Sequence, residues 1–228
     1  MQSAAKNPSE RYNHRVIATA HELPPEEHLV LNGVSWGFYE MLLEELENRP
    51  IRVTYDDGWM EIMSPLPKHE RWKTRIGRMI EILSLELRIP VETLGSTTFK
   101  REDRKKGLEP DECYYIQNEA AVRDKDELDL GIDPPPDLAV EVDITRRSIP
   151  RQPIYAALAV PELWRFEGKR LLVLHLGPDS KYHASGNSLA FPFLPMRQFE
   201  AFLLRLSDEQ QLDVLCEFRD WVHTLRRP

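Results

Sequence analysis

The segment that most constrains this chain is Leu138-Ala139-Val140-Glu141-Val142-Asp143-Ile144. As a strand, it carries Leu138, Val140, Val142 and Ile144 on one face and Ala139, Glu141 and Asp143 on the other, so one face is wholly apolar and the other holds two carboxylates. A slip of one residue would drive both charges among apolar side chains, which fixes the register. The two carboxylates stand roughly 6.5–7 Å apart at the backbone. If buried, they repel, and one pKa rises unless a metal ion, arginine or lysine compensates them. Two arrangements fit: a paired-carboxylate site facing a cation, or an edge strand whose second face is wet.

The surrounding pattern alternates strands with helices. Phe38, Leu42, Leu43 and Leu46 follow helical spacing after Ser35, and Asn48-Arg49-Pro50 stops them. Ile51–Tyr55 and Trp59–Met63 flank the turn Asp56-Asp57-Gly58 and predict a hairpin. From His69 to Leu87, Trp72, Ile76, Met79, Ile80, Leu83 and Leu87 predict the longest helix. Short β-prone pieces follow at 91–94, 97–100 and 113–116, interrupted by the charged stretch 101–106 and Gly107. The charged segment 123–129 and Pro134-Pro135-Pro136 form a loop that feeds the acidic strand. A helix is expected at 150–158, a hairpin of 162–166 with 171–176 across Gly168, and helical periodicity from Pro195 to Trp221.

At 228 residues this suits one α/β domain with a sizeable core. The expected organisation is a polar arm over 1–28, a catalytic domain over 29–206 and a C-terminal helix over 207–228. Cys113 and Cys216 lack disulfide or zinc spacing, which fits a reducing cytoplasm. No apolar run approaches the length that crosses a membrane. The net charge of −8 means that any nucleic-acid contact must be local. Neither a phosphate-binding glycine loop nor a nucleophile elbow is present, so nucleotide-binding and serine-hydrolase chemistry have no support.

A third carboxylate, Asp111, stands on the turn Glu109-Pro110-Asp111 at the entry to an aromatic β-prone run. An isolated Pro-Asp is usually a turn residue, but Asp111 combined with Glu141-Val142-Asp143 makes a less ordinary set. That set resembles the signature of the PD-(D/E)XK nucleases. The blocks YDDGWMEIMSPLPKHE, LGSTTFKREDRKKGLEPDECYYIQNE, DPPPDLAVEVDIT and PIYAALAVPELWRF resemble, more narrowly, the Uma-type restriction endonuclease family, over roughly Val34 to Phe202.

The resemblance implies an α+β mixed sheet flanked by helices, with a restriction-endonuclease-like core. It also implies a Mg²⁺- or Mn²⁺-dependent hydrolase acting on DNA. Asp111, Glu141 and the Val142 carbonyl would hold the ion, with Glu70 as a further candidate ligand. The wider class carries a catalytic lysine where this chain has Asp143, so Lys100, Arg147 or Arg151 must supply the positive charge if it is supplied at all. Arg151 is expected to brace phosphate, and His69 to contact phosphate, cap its helix or face solvent. Glu61 is expected to serve as a ligand or simply to line its strand. Lys100, Arg101, Arg104, Lys105 and Lys106 form either a DNA-backbone contact or, with the interleaved Glu102, Asp103 and Glu109, a solvated loop. Removing Glu141 is expected to relieve repulsion and stabilise the protein. Double-strand cleavage suggests a homodimer. The competing reading is an inactive nuclease-fold protein that binds DNA or a protein partner.

Overall fold

The computed structural model describes residues 28–46, 49–144 and 148–225. The expected N-terminal arm up to residue 27, Asn48 of the first helix stop, and Arg147 lie outside the described residues. The described strands divide into two sheets rather than one.

The first sheet has the order β1-β3-β2-β6-β5. It comprises β1 (His28–Leu31), β2 (Arg52–Asp56), β3 (Trp59–Met63), β5 (Phe99–Arg101) and β6 (Lys106–Leu108). The hairpin of β2 and β3 turns at Asp57 and Gly58, with φ of 47° and 90°. Two successive left-handed residues are what a tight hairpin with native twist requires, and Asp-Gly supplies them at low cost. Helix α1 (Trp36–Glu45) is capped by Ser35, whose side chain accepts the Phe38 N–H at 3.2 Å. Trp36 and Tyr39 turn inward onto Val53, Tyr55 and Met60, and Phe38 is left exposed.

The second sheet has the order β11-β10-β9-β8-β7-β4. Its strands are β4 (Glu92–Thr93), β7 (Glu112–Tyr115), β8 (Leu138–Val142), β9 (Glu162–Phe166), β10 (Leu171–Leu176) and β11 (Tyr182–Ser185). β8 runs antiparallel to β7 and parallel to β9, so it is an interior strand, and all five of its residues are buried. The wet-edge arrangement is therefore excluded. The expected register holds: Val140 and Val142 are fully buried, facing Ile76, Met79, Trp164 and Phe199.

That apolar face is covered by α2 (Pro67–Leu87), α5 (Met196–Asp208) and α6 (Gln211–Val222). α6 contributes Val214, Leu215, Phe218 and Val222 to the same core, so the expected C-terminal helix packs as part of it. Ala139, on the opposite face, packs with Cys113, Tyr115, Leu163 and the short helix α4 (Gln152–Ala157). Phe99 and Leu108 of the first sheet join this second core, which binds the two sheets together. Glu141 points into that apolar layer, and it is the burial on both faces that makes its charge chemically consequential. A short helix α3 (Glu119–Val122) and a 3₁₀ turn over Glu102–Arg104 complete the described elements.

Candidate active site

β7 brings Asp111 to β8 through a local irregularity. Glu112 pairs with Val140 in register, while the Asp111 N–H also donates to the Val140 carbonyl at 3.2 Å. Val140 therefore faces two residues at the neighbouring strand, the arrangement of a β-bulge. The displaced Asp111 side chain then takes the place of the next rung. Its Oδ2 accepts the Val142 N–H at 2.5 Å, and this is the peptide group joining Glu141 to Val142. The sequence positions 111 and 141 thus come to adjacent places on two strands.

Both carboxylates are buried, Asp111 at 2% and Glu141 at 3% exposure. Each meets a guanidinium. Arg52 of β2 pairs with Asp111 Oδ1 and donates to Glu70 Oε1 at 3.1 Å. Arg151, the N-cap residue of α4, donates to Glu141 Oε2 at 2.8 Å and to the Glu109 carbonyl. The Tyr155 hydroxyl, one helical turn on, donates to Glu141 Oε1. Charge-assisted hydrogen bonds of this kind are about twice as strong as neutral ones. Among the groups beside this pair, Glu109 has its carboxyl pKa raised by burial, against the pull of the nearby Arg52 and Arg151 charges. Burial likewise raises Glu112, opposed chiefly by Lys73 at 3.4 Å.

The other candidates fall in different places. Asp143 lies just past the end of β8, partly buried, with its N–H donating to the Phe166 carbonyl at 2.8 Å. Glu70 sits in the first turn of α2, where Arg52 and Lys73 flank it. His69 is buried rather than solvent-facing, because its helical position continues the apolar row of Trp72 and Ile76. Glu61 does more than line a strand. Buried on β3, it accepts the Ser148 N–H at 2.9 Å and lies 3.2 Å from His28 Nδ1, so it anchors the segment that leads into Arg151.

Lys100 is not brought to the carboxylates. It lies on β5, half in solvent, with its ammonium 3.0 Å from Glu40 of α1. The basic cluster around it is largely neutralised within itself. Arg101 and Arg104 pair with Asp103, Lys105 with Glu102, and Lys106 with Asp56. The geometry favours the solvated reading of that segment, which is the β5–β6 hairpin joined by a single 3₁₀ turn rather than a loop.

Sequence reasoning missed Arg52 and gave Tyr155 no role. Arg52 had one signal, its place on the polar face of β2 with Thr54 and Asp56, opposite Val53 and Tyr55; Tyr155 had another, its position one turn after Arg151 on the same helix face. Among the described residues, no three His, Cys, Asp or Glu side chains are grouped to hold a metal ion. No described helix is long and apolar enough to cross a membrane. The family model described as "Uma2: Putative restriction endonuclease" matches residues 38–206. No curated protein matches the chain.

Proposed function

The chain belongs to the Uma2 family, which has a restriction-endonuclease-like fold, and from that membership we propose that it is a divalent-cation-dependent endonuclease hydrolysing DNA phosphodiester bonds. The observation that most supports this reading is the hydrogen bond that Asp111 accepts from the Val142 N–H, which brings positions 111 and 141 to neighbouring places in the sheet.

The donor chemistry fits a hard cation, since Asp111, Glu141 and the Val142 carbonyl offer only oxygen, and Mg²⁺ and Mn²⁺ prefer oxygen. These three would hold the ion, with Glu70 in reserve. A bound divalent cation would supply Lewis-acid activation of water and neutralise charge at the phosphate. The chain's own residues provide the frame. Arg52 and Arg151 aim the two carboxylates, and Tyr155 fixes the second oxygen of Glu141, so these are positioning residues. Asp143 stands where the wider class has lysine, and Arg151 is the nearest cation to Glu141 that the described contacts provide. A guanidinium stabilises developing negative charge but does not accept a proton at neutral pH. Cutting both strands of a duplex calls for a two-fold dimer with one site per chain.

One observation favours a second reading, a nuclease-fold protein that holds DNA without cutting it. Asp111 and Glu141 are each already paired with an arginine, so this cluster of four charges sums to zero.

The test is cleavage of supercoiled plasmid with Mg²⁺ or Mn²⁺, with chelator as the blank. The wild-type protein should cut, and the near-isosteric Glu141→Gln should lose at least 100-fold in rate while its circular dichroism stays unchanged. Metal-dependent cutting at the wild-type rate by Glu141→Gln would remove the site from the reaction, and no cutting by the wild type would leave the second reading.

A further inference from the structure

The outer side of α2 carries Lys68, Arg71, Arg75 and Arg78. Their spacing of three, four and three lines them up along one side of the helix, over about 15 Å at 1.5 Å per residue. Lys68, Arg71 and Arg78 are exposed. Arg75 is half-buried and lies over the Trp72 ring, 4.5 Å from its centroid. Arg78 donates to the Gln211 side chain at 3.3 Å. Among the described residues, none of the four forms an ion pair with a carboxylate, although Glu70 lines the same side of the helix and the charges of Arg71 and Asp208 act on Arg75 in opposite directions.

Alignment along one helix side sets the row apart from other exposed cations that form no ion pair among the described residues, such as Lys169, Arg170 and Lys181, which lie in the turns between strands. Arg101, Lys105, Arg123, Arg205 and Arg219 are each paired with an acidic neighbour. The row also has shape: Lys68, Arg71 and Arg75 wall a shallow groove closed by Ser207, and an adjoining groove runs on past Arg78 to Gln211. It starts in the first turn of α2, where Glu70 accepts from Arg52, the same guanidinium that pairs with Asp111. The near end of the row is therefore linked to the candidate active site.

A chain of net charge −8 does not attract a polyanion as a whole, so a polyanion must be met by a local, uncompensated row. We propose that Lys68, Arg71, Arg75 and Arg78 are the track along which one strand of duplex DNA lays its phosphates, rising from the active site; this rests on the nuclease reading above. Successive phosphates of one strand rise about 3.4 Å along the duplex axis and lie further apart along the strand itself, so about 15 Å meets a short run of no more than roughly four phosphates. Ser207 and Gln211 add neutral donors of the kind that position a backbone without reading bases.

The test is fluorescence anisotropy of a labelled 30-base-pair duplex of arbitrary sequence, in chelator, across a salt series. The variant Lys68→Glu/Arg71→Glu/Arg78→Glu should weaken binding at least tenfold. It should also lower the slope of log affinity against log salt by about 2–3, since each lost phosphate contact removes about 0.9. The control Lys169→Glu/Arg170→Glu/Lys181→Glu makes the same change in net charge on exposed cations away from the row and should stay within twofold of wild type. Row and control variants that lose equally would mean that net charge alone matters. A row variant that binds like wild type, or binding of the row to anionic lipid vesicles but not to DNA, would overturn the proposal. Plasmid cleavage separates this from the nuclease reading. Row-dependent binding without metal-dependent cutting defeats catalysis and keeps the track, whereas cutting with row-independent binding does the reverse.

Discussion

The Asp111 carboxylate accepts the Val142 N–H at 2.5 Å, so a side chain of one strand completes the backbone hydrogen bonding of the next. The same carboxylate faces the buried Arg52 guanidinium. Asp111→Ala leaves a buried N–H and a buried cation without this partner, a change that costs about 3–5 kcal/mol. Urea unfolding monitored by circular dichroism should show that loss; a change below 1 kcal/mol would mean that the two contacts carry little weight.

Glu141 bears on stability with a sign opposite to that expected from repulsion between neighbouring carboxylates. Its oxygens are held by Arg151 and Tyr155, so Glu141→Ala exposes nothing to solvent and strands a buried guanidinium. The protein should lose about 3–5 kcal/mol. Glu141→Ala/Arg151→Met should be less destabilised than the sum of the two single changes, because the second substitution removes the stranded charge. A melting temperature for Glu141→Ala at or above that of wild type would contradict this.

Glu162, on β9, is a purely structural acid by the same criteria. Fully buried, it accepts the Trp164 indole N–H at 2.7 Å, the Ser188 hydroxyl at 3.1 Å, and the N–H groups of Leu189 and Ala190 at 2.8 and 2.6 Å. Glu162→Ala should cost about 3 kcal/mol or more by orphaning several buried donors, yet leave metal affinity within twofold. A large loss of metal affinity in a folded Glu162→Ala would show that the site reaches further than Asp111 and Glu141.

What was legible in the sequence is what short-range periodicity encodes. The rows Trp72 to Leu87 and Leu138 to Val142, and the Asp57-Gly58 turn, each specify an element from neighbours within a few residues. β6 was hidden because Lys106 and Gly107 read as a charged interruption, and it exists through pairing with Tyr55 and Asp56 some fifty positions earlier. The division into two sheets is hidden for the same reason. Asp111, Glu141 and the cation Arg151 could be named from motif and resemblance, but Arg52 could not: it reaches Asp111 only through the packing of one sheet against the other. The basic segment 100–106 stands out by composition, although Glu102 and Asp103 neutralise much of it. The row on α2 is not distinctive in the sequence, because charged residues at helical spacing are what the polar side of any amphipathic helix carries.

The central claim, that Asp111 and Glu141 form one cation site, is tested most directly by calorimetric titration of Mn²⁺ into wild type, Asp111→Asn and Glu141→Gln, each checked for folding beforehand. These substitutions keep side-chain volume and remove one negative charge apiece, so each should weaken Mn²⁺ binding at least tenfold. Equal Mn²⁺ affinity in all three proteins, or no binding by wild type, would contradict the claim.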